Sequence, residues 1–235
     1  MTGSLIHEII PVGMLQCNCS ILGDSESHEA IVVDPGDDVD RILEILRKHN
    51  LKVRAIVSTH THIDHVGGLA KLHRAAQAPV LIHPDDLELY RHLDVQAQWL
   101  GAETPEMTKI ENFVRDGDSL YWGPFEARVF HTPGHTPGSI SLYVPADRKQ
   151  TAGGERQPRR ESPENLREPR LLAGDTLFAG SIGRTDLWGG SFPEIIRSIQ
   201  GKLLTLPEST VVFPGHGTRT TIGEEKQSNP FLTRV

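Results

Sequence analysis

The chain has 235 residues, 37 % of them hydrophobic and 23 % charged, a composition of folded globular proteins rather than disordered or fibrous ones. Its formal net charge is -7, from 24 Lys and Arg against 31 Asp and Glu, which argues against a phosphate-backbone partner. The two cysteines, Cys17 and Cys19, stand too close together to staple distant segments, so a disulfide framework is excluded and a reducing, cytoplasmic setting is expected. The N-terminal "MTGSLIHEIIPVG" has no basic start, no continuous apolar core and no small-residue cleavage site, so it does not read as a signal peptide. No stretch reaches the apolar length needed to span a bilayer, and no membrane partner is expected. The length suits one domain over residues 1–235.

Strand and helix signals alternate along the chain. "LIHEIIPV" alternates and ends at a Pro-Val-Gly turn, and "CSILG" and "EAIVVDPG" read as an antiparallel pair. The second of these stops at Asp34-Pro35-Gly36, where Pro sets φ and Gly accepts a positive one. "DDVDRILEILRKHN" places Ile42, Ile45 and Leu46 at helical spacing, with acids first and bases last. "VRAIVST" is a β-branched run of the buried-strand kind. "GGLAKLHRAAQ" is helical, "PVLIH" a strand, and "PDDLELYRHL" a helix opened by proline. "DSLYW", "EARVFHT", "SISLYV" and "RLLAGD" read as strands, "SFPEIIRSIQGKLLTL" as one helix, and "STVVFPGHG" as the final strand. Residues 146–170 break the pattern. They are rich in charge, Pro and Gly, with Leu166 as the one large aliphatic, and they read as a flexible surface loop inserted between two strands.

The chemistry concentrates at strand ends. In "STHTHIDHVGG", His60 and His62 follow a buried strand two residues apart, so on extended backbone they point the same way and can grip one cation. Asp64 and His65 follow as the chain turns at Gly67-Gly68, and one ion cannot take all four side chains, which makes room for a second. His135 in "HTPGHTPGS", Asp175 in "LLAGDTLF" and His216 in "VVFPGHGT" each sit in a loop at a strand end, where a rigid scaffold carries reactive groups. Imidazoles and carboxylates without a thiolate suit zinc, iron or manganese. Each residue alone has an ordinary structural explanation; the set of motifs together points to metal.

These stretches resemble the metallo-β-lactamase fold superfamily, and within it the compact glyoxalase II-like (hydroxyacylglutathione hydrolase-like) hydrolases. "CNCS", "VVDPGDD", "GSIGRTDLWGG" and "TIGEEKQSNPFL" extend the likeness over nearly the whole chain. The resemblance implies an α/β four-layer αβ/βα sandwich: two mixed β-sheets face to face, helices on the outer faces, and metals in a cleft along one edge. It implies two divalent ions, zinc foremost, with iron or manganese as alternatives. His60, His62 and His135 would hold the first, Asp64, His65 and His216 the second, and Asp175 would bridge them. Asp64 and Asp175 are then the expected catalytic carboxylates. Two ions about 3.5–4 Å apart share a hydroxide at neutral pH, polarise a carbonyl and stabilise a leaving thiolate, so no serine or cysteine nucleophile is required.

The implied reaction is hydrolysis of a thioester, S-acylglutathione among the candidates, with a small-molecule thioester or ester as partner and no nucleic acid. Two-domain members carry a helical C-terminal domain that supplies part of the glutathione site. Here 19 residues follow His216 (235 − 216), so the thiol stays open. The alternative is an iron persulfide dioxygenase, a single iron held by His60, His135 and Asp175. A lactonase or nuclease-type hydrolase stands third. Asp64-His65 is read as setting the chain apart from true β-lactamases. Arg184 and Asp186 are expected to form a salt bridge or meet an anionic substrate, and Asp34 to accept from a ligand imidazole or serve its turn. His83 and His131 are read as structural, Cys17 and Cys19 as small buried residues, and the assembly as monomer or homodimer.

Overall fold

Strand β1 (Leu5–Val12) pairs antiparallel with β2 (Cys17–Asp24), in register from Leu5 against Asp24 to Val12 against Cys17. These belong to a computed structural model that describes residues 3–146 and 168–233. The loop expected over 146–170 therefore lies, but for its ends, outside the described residues. β3 (Glu29–Val33) adds antiparallel to β2. β4 (Lys52–Val57), β5 (Val80–Ile82) and β6 (Asn112–Phe113) then add in parallel, which makes the first sheet mixed. Parallel neighbours need crossovers, and the helices between them provide these: α1 (Val39–Lys48), the one-turn α2 (Ile63–Val66), α3 (Leu69–Ala76), α4 (Leu87–Arg91) and α5 (Leu93–Leu100).

The second sheet is also six-stranded and mixed. It uses β7 (Ser119–Trp122), β8 (Phe125–His131), β9 (Ile140–Val144) and β10 (Arg170–Gly174). A small hairpin follows, β11 (Leu177–Phe178) with β12 (Ser181–Ile182), then α6 (Phe192–Gly201), β13 (Val211–Pro214), β14 (Thr220–Thr221) and α7 (Ile222–Ser228). β13 lies parallel to β10 and antiparallel to β14, while β7 to β10 form an antiparallel meander.

Three buried clusters define the layers. Ile21, Val32 and Ile56 of the first sheet pack with Ile42, Leu46, Leu69 and Leu72 of its helices. Leu22, Ile31, Val33 and Val57, on the other face, pack with Trp122, Val129, Ile140 and Leu142 of the second sheet. Leu171, Ala173 and Val212, on that sheet's far face, pack with Ile195, Ile199 and Ile222. This is the expected αβ/βα sandwich, and the central strands β2, β3 and β10 divide their side chains between two apolar layers. Among the described residues no helix is long and apolar enough to cross a membrane.

The structure corrects the chain reading in places. α5, β6 and the β11–β12 hairpin carry weak periodicity and were not expected. The helix expected over 191–206 ends at Gly201 and passes into a 3-10 turn, Leu203–Thr205. "STVVFPGHG" is not the last element, because β14 and α7 follow it. A capping box, Thr221 with Glu224, marks the α7 start and is legible in "TIGE".

Candidate metal centre

The site forms where β4, β10 and β13 all end. Gly174 pairs with Pro214 across the parallel strands. The Thr59 carbonyl accepts from Ile140 N at 2.8 Å, tying the loop after β4 to the second sheet. The loop after β4 carries His60 and His62 and leads into α2 with Asp64 and His65, the loops after β10 and β13 carry Asp175 and His216, and the β8–β9 loop brings in His135.

Three imidazole nitrogens meet in the first cluster. His60 Nε2 lies 3.1 Å from His62 Nδ1, and His135 Nε2 lies 3.2 Å from the former and 2.9 Å from the latter. Nitrogens held about 2.0–2.1 Å from one tetrahedral cation stand about 3.3 Å apart, so this triangle has nearly the size a metal requires. The second cluster sets His216 Nε2 3.2 Å from His65 Nε2 and 3.0 Å from Asp64 Oδ2. Asp175 lies between them, with Oδ1 3.5 Å from His65 and Oδ2 3.7 Å from His135 and 3.8 Å from His216. All seven expected side chains are thus brought together.

The outer nitrogens fix the direction of the rings. His135 Nδ1 donates to Arg184 O at 2.8 Å and His216 Nδ1 to Leu15 O at 3.1 Å. The Thr59 hydroxyl donates to Asp34 Oδ2 and stands 3.3 Å from His60 Nδ1, which leaves its lone pair to that ring. His65 Nδ1 lies 3.1 Å from Asp34 Oδ2, close in distance though poorly aligned for a hydrogen bond. With those nitrogens turned outward, each of the four rings presents Nε2, unprotonated once neutral, to the centre, as metal-ligating histidines do. Asp175 Oδ1 is buried without a hydrogen-bond partner, a costly state that a cation would relieve. Gly215 completes the cradle: a Cβ there would overlap Asp175 Oδ1 and the His65 ring. The residues fit a pair of divalent cations.

Electrostatics divides the two clusters. Burial pushes His60, His62 and His135 down, His62 to about 3, and neighbouring rings add to the effect. Those imidazoles are neutral, the form that binds metal. Burial opposes charge on His65, but the carboxylates of Asp175, Asp34 and Asp64 prevail and raise it. His216 is raised chiefly by its bond to Asp64. Burial would raise Asp64 as well, yet His65 and His216 hold it below the usual carboxylate range.

Several residues gain definite places. Asp34 Oδ1 accepts from Thr59 N at 2.7 Å, so this carboxylate anchors the His60 loop as well as facing His65. Arg184 and Asp186 form the expected ion pair, side-on at 2.8 and 2.9 Å. His83 and His131 stack on each other at 3.9 Å, away from the centre. Asp86 was missed, and Cys17, buried as expected, also gains a place beside the second cluster. Asp86, wholly buried, accepts from Thr61 N, Thr136 Oγ1 and Gly138 N, joining the loop of His60 and His62 to that of His135. It reads in sequence as one more acid at a helix start. Cys17 Sγ groups with His65 and His216, the ligand atoms within 4.8 Å of one another, and burial keeps its thiol neutral, pushed up to about 12.

A cleft of about 480 Å³ opens over both clusters. Its floor is His62, Asp64, His135, Asp175 and His216, and its walls include Leu15, Trp99, Leu100, Leu187 and Trp188.

The family model "Metallo-beta-lactamase superfamily" matches residues 12–148 and 163–216. Hydroxyacylglutathione hydrolase GloC of Haemophilus influenzae is 34% identical over 96% of this chain and 97% of its own. The crystal structure of BLEG-1, a B3 metallo-beta-lactamase, is 35% identical with TM-score 0.82, covering 97% of this chain and 100% of that one. That of TTHA1623 in a di-iron-bound form is 34% identical with TM-score 0.76, covering 96% and 100%.

Proposed function

The chain belongs to the metallo-beta-lactamase superfamily, and from that premise we propose that it is a dinuclear metallohydrolase that cleaves thioesters. One observation carries the proposal: two clusters of inward-facing donors, with atoms 2.9 to 3.2 Å apart in the first and 3.0 to 3.7 Å apart in the second, share a carboxylate whose buried oxygen lacks a partner. The mononuclear iron alternative uses His60, His135 and Asp175 and leaves the tight Asp64, His65 and His216 grouping without a task.

His60, His62 and His135 would hold one cation, Asp64, His65 and His216 the other, and Asp175 both. When bound, the ions supply acidified water and a Lewis acid for the carbonyl oxygen. The protein supplies the rest. Asp64 and Asp175 present oxygens on the cleft floor, where they can take the attacking water's proton. Leu15 O and Arg184 O hold the His216 and His135 rings, and Asp34 holds Thr59 beside His60, so that the donors need no reorganisation during reaction. Among the described residues that line the cleft there is no serine or cysteine, and the neutral Cys17 thiol is no nucleophile. We propose zinc as the metal, with iron as the competitor because a relative is di-iron-bound. The free thiols of Cys17 and Cys19 accord with the cytoplasmic location we propose.

The test is a substrate panel on protein loaded separately with zinc, iron and manganese: thioesters, a chromogenic β-lactam, and glutathione persulfide with oxygen uptake. The β-lactam belongs there because a B3 enzyme is 35% identical over nearly the whole chain, so Asp64-His65 is weak ground for setting it aside. Thiol release above the other activities supports the proposal. Oxygen uptake or β-lactam opening in its place refutes it.

A further inference from the structure

Beyond the clusters, the described residues that line the cleft are mostly apolar. Trp99 and Leu100 come from α5, Leu187 and Trp188 from the loop after β12, and Leu15 from the β1–β2 turn. All five stay exposed, or line open space, on a fully folded chain: Trp99 is 59% and Trp188 40% exposed, with the ring centroids 4.9 Å apart. Exposed apolar side chains gathered at the mouth of a site are usual where an apolar ligand binds. The polar wall residues are already engaged. Gln96 accepts from Ile63 N and donates to Thr61 O and Leu89 O. Among the described residues that line the cleft, Arg184 is the one Arg or Lys, and its charge is met by Asp186. A neighbouring hollow of about 420 Å³ shares Leu89 and Trp188, and its ionisable members are Asp85, Glu88 and His92.

We infer that this cleft selects esters and thioesters by a large apolar group, an aryl ring or a chain of several carbons, seated on Trp99, Trp188 and Leu100. The inference rests on the hydrolase reading above and adds the substrate class. An anionic tripeptide such as glutathione would set carboxylates against these apolar walls, where the described cation, Arg184, is already paired, a costly desolvation. An apolar chain instead gains with every methylene buried. Leu15 ties the recognition surface to the chemistry, because its carbonyl holds His216 in place.

Binding and turnover separate the two claims. The probes are non-hydrolysable S-methyl to S-hexyl thioethers of N-acetylcysteamine, followed by tryptophan fluorescence on the metal-loaded full chain. Of its three tryptophans, Trp122 is wholly buried in the core, so Trp99 and Trp188 report the cleft. Affinity should rise about threefold to fourfold per added methylene. The Trp99→Phe and Trp188→Phe variants should each lose part of the fluorescence change. Equal affinity for methyl and hexyl probes overturns the inference. In turnover, kcat/KM should rise along the acetyl to hexanoyl thioesters of the same thiol, above that for lactoylglutathione. In Trp99→Ala the hexanoyl-to-acetyl ratio should fall by about fivefold or more. A flat acyl series with glutathione preferred also overturns it. Graded probe binding without any thioester turnover keeps apolar recognition and removes the hydrolase reading instead.

Discussion

Replacing Asp175 by Asn keeps the shape of the side chain and removes its charge from both clusters at once. Asp175→Asn should abolish turnover and lower the bound metal measured by elemental analysis; normal turnover at full metal content would exclude a shared carboxylate. Protons make a second test at this scale. The raised folded-state pKa values of His65 and His216 mean that protonation stabilises the metal-free fold. That contribution is complete below the ordinary histidine value and is lost as pH rises through the raised ones. A cation must displace those protons, so metal binding near pH 7 should release protons into solution and weaken as pH falls. The His60, His62 and His135 cluster, already neutral, should keep its ion to lower pH. Calorimetry in buffers of different ionisation enthalpy measures the release; none at all would contradict the protonated second cluster.

At the scale of elements, Asp86 connects the loops that carry the first cluster. Asp86→Ala strands the buried N–H groups of Thr61 and Gly138 and should cost about 3 kcal/mol in denaturant unfolding. Metal affinity should fall with it, and an unchanged unfolding midpoint would show that the loops hold without it. The sequence could not announce this role. Asp86 earns notice only when α4 and the β8–β9 loop meet in space, with fifty positions between Asp86 and Thr136. The ligands were legible because His60, His62, Asp64 and His65 are local and because His135, Asp175 and His216 each follow an apolar run. β6, β11 and β12 were not, since two-residue strands have no period to read. α5 escaped because "LDVQAQWL" spreads apolar residues around the helix, two of them facing the cleft rather than the core.

At the scale of the molecule, the αβ/βα layering follows from strands that bury both faces, which the β-branched runs foretell. Strand β10 starts at Arg170 and reaches the site with its far end, Gly174. Deleting residues 150–168 should therefore leave metal content intact; loss of metal would make that segment part of the site. Convergence of seven side chains on two cations is the central claim, and anomalous diffraction from zinc-loaded crystals, recorded on either side of the zinc edge, measures it most directly. The account predicts two peaks, one among His60, His62 and His135, the other among Asp64, His65 and His216, with Asp175 touching both. A single peak, or peaks away from these residues, would contradict it.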